Sequence, residues 1–159
     1  MIRLKIVILL TLTLGVAAFG QTGTAVRGHR QANENRLLTD FVRFLSIPNI
    51  ASDTPAVYKN ADFLMERMKR EGLAPQAWYL GDKGSPPPVV YGEWLTPGAT
   101  RTIIFYAHYD GQPTDPKQWN GIEPWTPTLF SAPMEKGGAK IPFPKEGEKI
   151  DPEWRLYAR

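Results

Sequence analysis

His108 and Asp110 stand two residues apart at the end of an apolar run, Thr102-Ile103-Ile104-Phe105-Tyr106-Ala107. A loop containing glycine and proline, Gly111-Gln112-Pro113, follows at once. In an extended chain alternate residues face the same side, so a carboxylate at 110 can accept from one ring nitrogen of His108. The other nitrogen then faces outward. A metal-binding histidine needs this arrangement, because the acceptor fixes its tautomer and raises the basicity of the ligating nitrogen. His-x-Asp is also a common surface pair, and spacing alone does not decide between the two readings.

The elements around the pair bear on that choice. Ile103 to Ala107 is apolar throughout, the pattern of a strand buried on both faces of an α/β sheet. Open α/β folds place their chemistry at the exits of such strands. Upstream, Asn33 is placed to cap a helix over Glu34 to Leu45, with Leu37, Leu38, Phe41, Val42 and Leu45 on one face and Pro48 as its stop. Thr54 and Pro55 mark a second helix start, and Gly72 its end. Val57, Ala61, Leu64, Met65 and Met68 recur at helical spacing between them, so the methionines read as core. From Pro75 the period shortens, predicting a strand over Gln76 to Leu80, a turn over Gly81 to Pro87 and a strand over Val89 to Leu95. The expected fold class is therefore α/β: two helices, a hairpin, then a buried central strand.

The run Tyr106-Ala107-His108-Tyr109-Asp110-Gly111-Gln112-Pro113, continuing through Thr114-Asp115-Pro116 to Trp119, resembles the first metal-site motif of a known family. That family is the dinuclear zinc metallopeptidases: carnosine-type dipeptidases, aminoacylases, acetylornithine deacetylase and succinyl-diaminopimelate desuccinylase. The His-Tyr-Asp-x-Gln-Pro form is similar to its dipeptidase branch. Phe44-Leu45-Ser46-Ile47-Pro48-Asn49 resembles the family's opening helix-to-loop segment. The resemblance implies that His108 ligates one of two zinc ions and that Asp110, a catalytic residue, orients it and sits between the metals. It implies a zinc-exopeptidase-like catalytic domain, and a small peptide or N-acyl amino acid as substrate. Zinc would there polarise the scissile carbonyl and lower the pKa of a bridging water towards about 7.

The resemblance covers only the opening part of the family's length. Arg155-Leu156-Tyr157-Ala158-Arg159 matches the lead-in to the family's bridging carboxylate, with Ala158 where glycine is usual. No Asp-Asp-Lys segment follows it, and no adjacent Glu-Glu pair is present to supply the family's general base. The 159 residues are therefore expected to be an amino-terminal fragment with an incomplete catalytic domain, inactive alone and binding zinc weakly at most.

Composition narrows the remaining choices. Arg3 and Lys5 precede an apolar run from Ile6 to Ala18, and Ala18 and Gly20 suit signal peptidase, so residues 1–20 read as a secretory signal. The product is expected to be secreted or periplasmic, with no stable membrane insertion after cleavage. Residues 21–33 read as a flexible leader, with His29 solvated in it, and 34–159 as the partial catalytic domain. Loss of Arg3 and Lys5 removes two of the charges behind the formal net charge of +3, so the basic pI is no nucleic-acid footprint. With no cysteine, a thiol nucleophile and a cysteine-ligated zinc are both excluded. Residues 111–159 lose periodicity and read as largely loop, with Glu135 to Lys149 a charged, exposed insertion. Trp119, Trp125 and Trp154 in that tail leave a second reading open, a secreted binding module using the aromatic residues.

Overall fold

The structure is a computed structural model that describes residues 22–81 and 86–159. The expected signal peptide and the middle of the expected 81–87 turn lie outside the described residues. Two compact units are distinguished among the described residues, one of 22–39 with Pro144–Ile150 and one running from Asp40 to Phe143 with Asp151–Arg159.

In the first unit residues 22–32 are helical (α1), so most of the segment read as a leader carries regular structure. A turn at Asn33 leads into α2 (Glu34–Leu45), whose bounds coincide with the expected helix. Asn33 does not act as its expected cap. Its Nδ2 donates to the His29 carbonyl at 2.8 Å, closing the end of α1, and its Oδ1 receives Arg36 Nε at 3.4 Å. Asn35 Nδ2 donates to the Lys145 and Glu148 carbonyls at 3.0 and 3.2 Å. The Glu148 carboxylate accepts the Lys145 N–H at 2.8 Å, so this stretch of the charged insertion folds on itself.

The second unit is built on α3 (Thr54–Arg70). Its cap is Asp53, one residue before the expected Thr54: the carboxylate accepts the Ala56 N–H at 3.1 Å, with proline in the first turn. Gly72, at φ +80°, ends the helix. The Gly72 N–H donates to the Lys69 carbonyl and the Leu73 N–H to that of Met68, both at 3.0 Å, a paired closure that needs a left-handed residue. Ala56, Val57 and Ala61 face the interior, and between them Asn60 is 1% exposed. Asn60 Nδ2 donates to the Pro48 and Ala56 carbonyls at 2.8 and 2.9 Å, tying the segment after α2 to α3. Phe44 stacks on Phe63 at 5.4 Å between ring centroids. Arg67, read from the sequence as part of a solvated face, meets Asp40 of α2 at 3.0 Å.

β1 (Gln76–Trp78) and β2 (Val89–Tyr91) form the expected antiparallel hairpin, shorter than predicted, with Ala77 opposite Val90. Trp78 and Tyr91 stack across it at 4.4 Å. Residues 111–159 hold a three-stranded antiparallel sheet that their aperiodic sequence concealed. β3 (Thr128–Phe130) lies between β4 (Lys140–Ile141) and β5 (Arg155–Tyr157). Leu129 and Phe130 are buried with Ile122, and Phe130 meets Tyr157 edge to face at 5.2 Å.

The expected buried central strand is not formed. Residues 101–110 join no ladder, and Ile103, Ile104, Phe105 and Tyr106 are 77–93% exposed. An apolar run of this kind records a preference for burial between neighbouring strands, and the described residues provide none. The architecture is thus α/β with three helices and two small antiparallel sheets among the described residues. No helix among them is long and apolar enough to cross a membrane.

Candidate metal centre

The His108–Asp110 pair forms despite the absence of the strand. His108 Nδ1 lies 2.8 Å from the Asp110 main-chain carbonyl and 3.2 Å from Asp110 Oδ1. Both partners are acceptors, so this nitrogen carries the proton and Nε2 presents its lone pair. The sequence anticipated the carboxylate contact. The shorter one, to the main-chain carbonyl, is invisible to period-two reasoning. The side chains are 75% and 50% exposed, leaving the imidazole open to an incoming ligand.

Tyr109, between them, points elsewhere. Its hydroxyl donates to the Pro88 carbonyl just before β2. Burial raises its pKa, and the neighbouring Asp110 carboxylate and the Tyr58 and Tyr79 hydroxyls push in the same direction. Tyr58 and Tyr79 themselves stack at 6.4 Å. A cleft of 470 Å³ opens beside the pair, lined by Val57, Pro88, Val90, Phe105, Tyr109 and Asp110 among others.

Beyond Asp110 the backbone is held firmly. Gly111 forms a parallel bridge with Ile50: its N–H donates to the Asn49 carbonyl at 2.7 Å, and its carbonyl accepts the Ala51 N–H at 2.8 Å. Arg159 Nη2 donates to the Gln112 carbonyl at 2.8 Å. Sequence reasoning placed Gly111 in a loop and Arg159 in a motif lead-in, but gave no signal that the two meet.

The donors present do not fit a dinuclear zinc centre. No group of three or more His, Cys, Asp or Glu side chains among the described residues is placed to hold a metal ion. His108 and Asp110 match one ligand and its orienting acceptor, whereas zinc sites use three or four protein ligands. His29 lies in α1, in the other unit. The tail aromatics do not form an exposed platform either: Trp119, Trp125 and Trp154 are half-buried, and Trp125 Nε1 is buried without a partner.

Comparison with known proteins gives a distant, partial similarity to metallodipeptidases. The chain is 32% identical over 94 residues to the Cys-Gly metallodipeptidase DUG1 of Candida albicans, a match covering 52% of this chain and 19% of that protein. It is 26% identical over 105 residues to the Cys-Gly metallodipeptidase dug1 of Schizosaccharomyces pombe, covering 60% of this chain and 22% of that protein. The matches thus span about a fifth of the length of these curated relatives. No family model matches the chain, and no solved structure does.

Proposed function

We propose that this chain carries the first metal ligand of a metallodipeptidase-type amide hydrolase, with His108 as ligand and Asp110 as its orienter. The observation that carries the reading is the placement of His108 Nδ1 against two acceptors of Asp110, which leaves Nε2 as the coordinating nitrogen. Similarity to two Cys-Gly metallodipeptidases supports it independently. The metal in this reading is zinc, and the substrate a dipeptide or a small N-acyl amino acid. Among the described residues, no group of three or more His, Cys, Asp or Glu side chains completes the site. The 159-residue chain is accordingly inactive alone. The charged start and apolar run of residues 1–20 further support export.

The test is a chimaera in which residues 22–159 of this chain replace the corresponding part of the Schizosaccharomyces pombe metallodipeptidase. Cys-Gly hydrolysis is measured for that chimaera and for three variants. His108→Ala is expected to abolish nearly all turnover. Asp110→Asn keeps the shape but weakens the hold on the imidazole, with a loss of at least about 10–100-fold. His29→Ala serves as the control and is expected to change nothing. Normal turnover in His108→Ala overturns the proposal.

A further inference from the structure

We propose that Arg159 is a positioning residue for the loop carrying His108 and Asp110, and that Gly111 is glycine so that Arg159 can reach it. The functional meaning of this role rests on the metal-site reading above. Its geometry does not.

Two segments distant in sequence converge on this loop. Asn49 to Ala51 pair with Gly111 through the parallel bridge. Arg159 approaches from the far end of the chain, anchored by its own N–H, which donates to the Pro124 carbonyl at 2.7 Å. From there its guanidinium donates to the Gln112 carbonyl and lies directly over Gly111. A Cβ added at 111 would stand 2.7 Å from Arg159 Nη2 and 3.1 Å from Cζ, and also 3.1 Å from Asn49 Oδ1. The φ of Gly111 is not in the left-handed region, so a side chain here would not strain the backbone but would push the Arg159 guanidinium off its place.

The chemistry of the contact suits a clamp. Asn49 Oδ1 is buried with no hydrogen-bond partner, and a bare acceptor of this kind is costly. The guanidinium beside the same point carries five N–H donors in a rigid fork and places one on the Gln112 carbonyl, where a lysine ammonium acts as a point charge. One residue past Asp110, the main chain is thus fixed by a bridge on one side and a cation on the other. The Asp110 carbonyl that accepts from His108 belongs to the peptide unit immediately before Gly111. Fixing Gly111 therefore fixes the acceptor that selects the His108 tautomer.

The experiment uses the full 159-residue chain and needs neither metal nor turnover, so its failure is separate from failure of the metallodipeptidase reading. Amide exchange at Gly111 and Ala51, and the ring-nitrogen shifts of neutral His108, are recorded by NMR for wild type, Arg159→Ala, Arg159→Lys, Gly111→Ala and the Gly111→Ala/Arg159→Ala pair. Arg159→Ala should speed exchange at Gly111 by roughly tenfold or more, the change expected for one lost charge-assisted hydrogen bond. His108 should move from the Nδ1–H tautomer towards a mixture. Exchange in β1 and β3 should stay unchanged. Arg159→Lys should restore part of the His108 signature. Gly111→Ala should mimic Arg159→Ala, and the double variant should be no worse than Gly111→Ala, since removing the guanidinium removes the clash. An unchanged His108 signature in Arg159→Ala, uniform acceleration of every amide, or strictly additive effects in the double variant would each overturn the proposal.

Discussion

Tyr109→Phe removes one hydroxyl, and with it the hydrogen bond that ties the His-Tyr-Asp segment to the Pro88 carbonyl just before β2. Burial raises the Tyr109 pKa above its ordinary value near 10, and Asp110 adds to the effect. The folded chain therefore holds this proton more tightly than the unfolded one does. The resulting stability is complete below about pH 10 and is lost as pH rises through the folded pKa. Thermal midpoints measured against pH should fall more steeply on the alkaline side for wild type than for Tyr109→Phe. Tyr91, half-buried in β2, has a pKa raised chiefly by its hydrogen bond to Glu93, and its contribution is common to both proteins. Equal alkaline slopes in wild type and Tyr109→Phe would remove Tyr109 as an anchor of the motif. At this scale much of the site was readable: residue types and a spacing of two brought His108 and Asp110 together. The carbonyl contact, the Tyr109 anchor and the Arg159 clamp were not readable, because the first depends on local backbone geometry and the others on partners 21 and 47 residues away.

Helices were legible where the chain punctuates itself. Pro48, Pro55 and Gly72 stop or start a backbone for local reasons that a sequence displays directly: α2 ends at Leu45, shortly before Pro48, and α3 runs from Thr54 to Arg70, between Pro55 and Gly72 to within a residue or two. The α3 cap was displaced by one position because Asp53 and Thr54 are both good capping residues and only geometry chooses between them. Asp53→Ala should therefore destabilise the chain by about 1 kcal/mol in chemical denaturation, and Thr54→Ala by clearly less. The reverse order would return the cap to Thr54. The sheet of β3, β4 and β5 escaped notice because strands of two or three residues are too short for alternation to register. Its pairings join Leu129 to Ile141 and to Leu156, separations at which no local turn signal operates. Asn60, at the other extreme, reads as an unremarkable polar residue on a helix yet is nearly inaccessible. Asn60→Leu leaves the Pro48 carbonyl without its donor, and a loss of about 1–3 kcal/mol in the same assay is expected.

For the molecule as a whole, the exposed run Ile103 to Tyr106 is the dominant feature. Four adjacent large apolar residues in unpaired backbone form a template for strand pairing between chains. The 159-residue chain should self-associate at micromolar concentration, and Phe105→Lys should suppress this in light scattering. A wild-type chain that stays monomeric under those conditions would contradict the exposure described. The sequence announced this stretch as strand-forming, and its composition is the right one. What the sequence could not announce is whether neighbours are present to receive it.

The most direct test of the account is the metal content of the chimaera with the Schizosaccharomyces pombe metallodipeptidase, determined per chain by elemental analysis for wild type and His108→Ala. The account predicts that His108→Ala loses one equivalent of zinc while the 159-residue chain alone retains none after dialysis. A His108→Ala chimaera carrying its full complement of metal would contradict it.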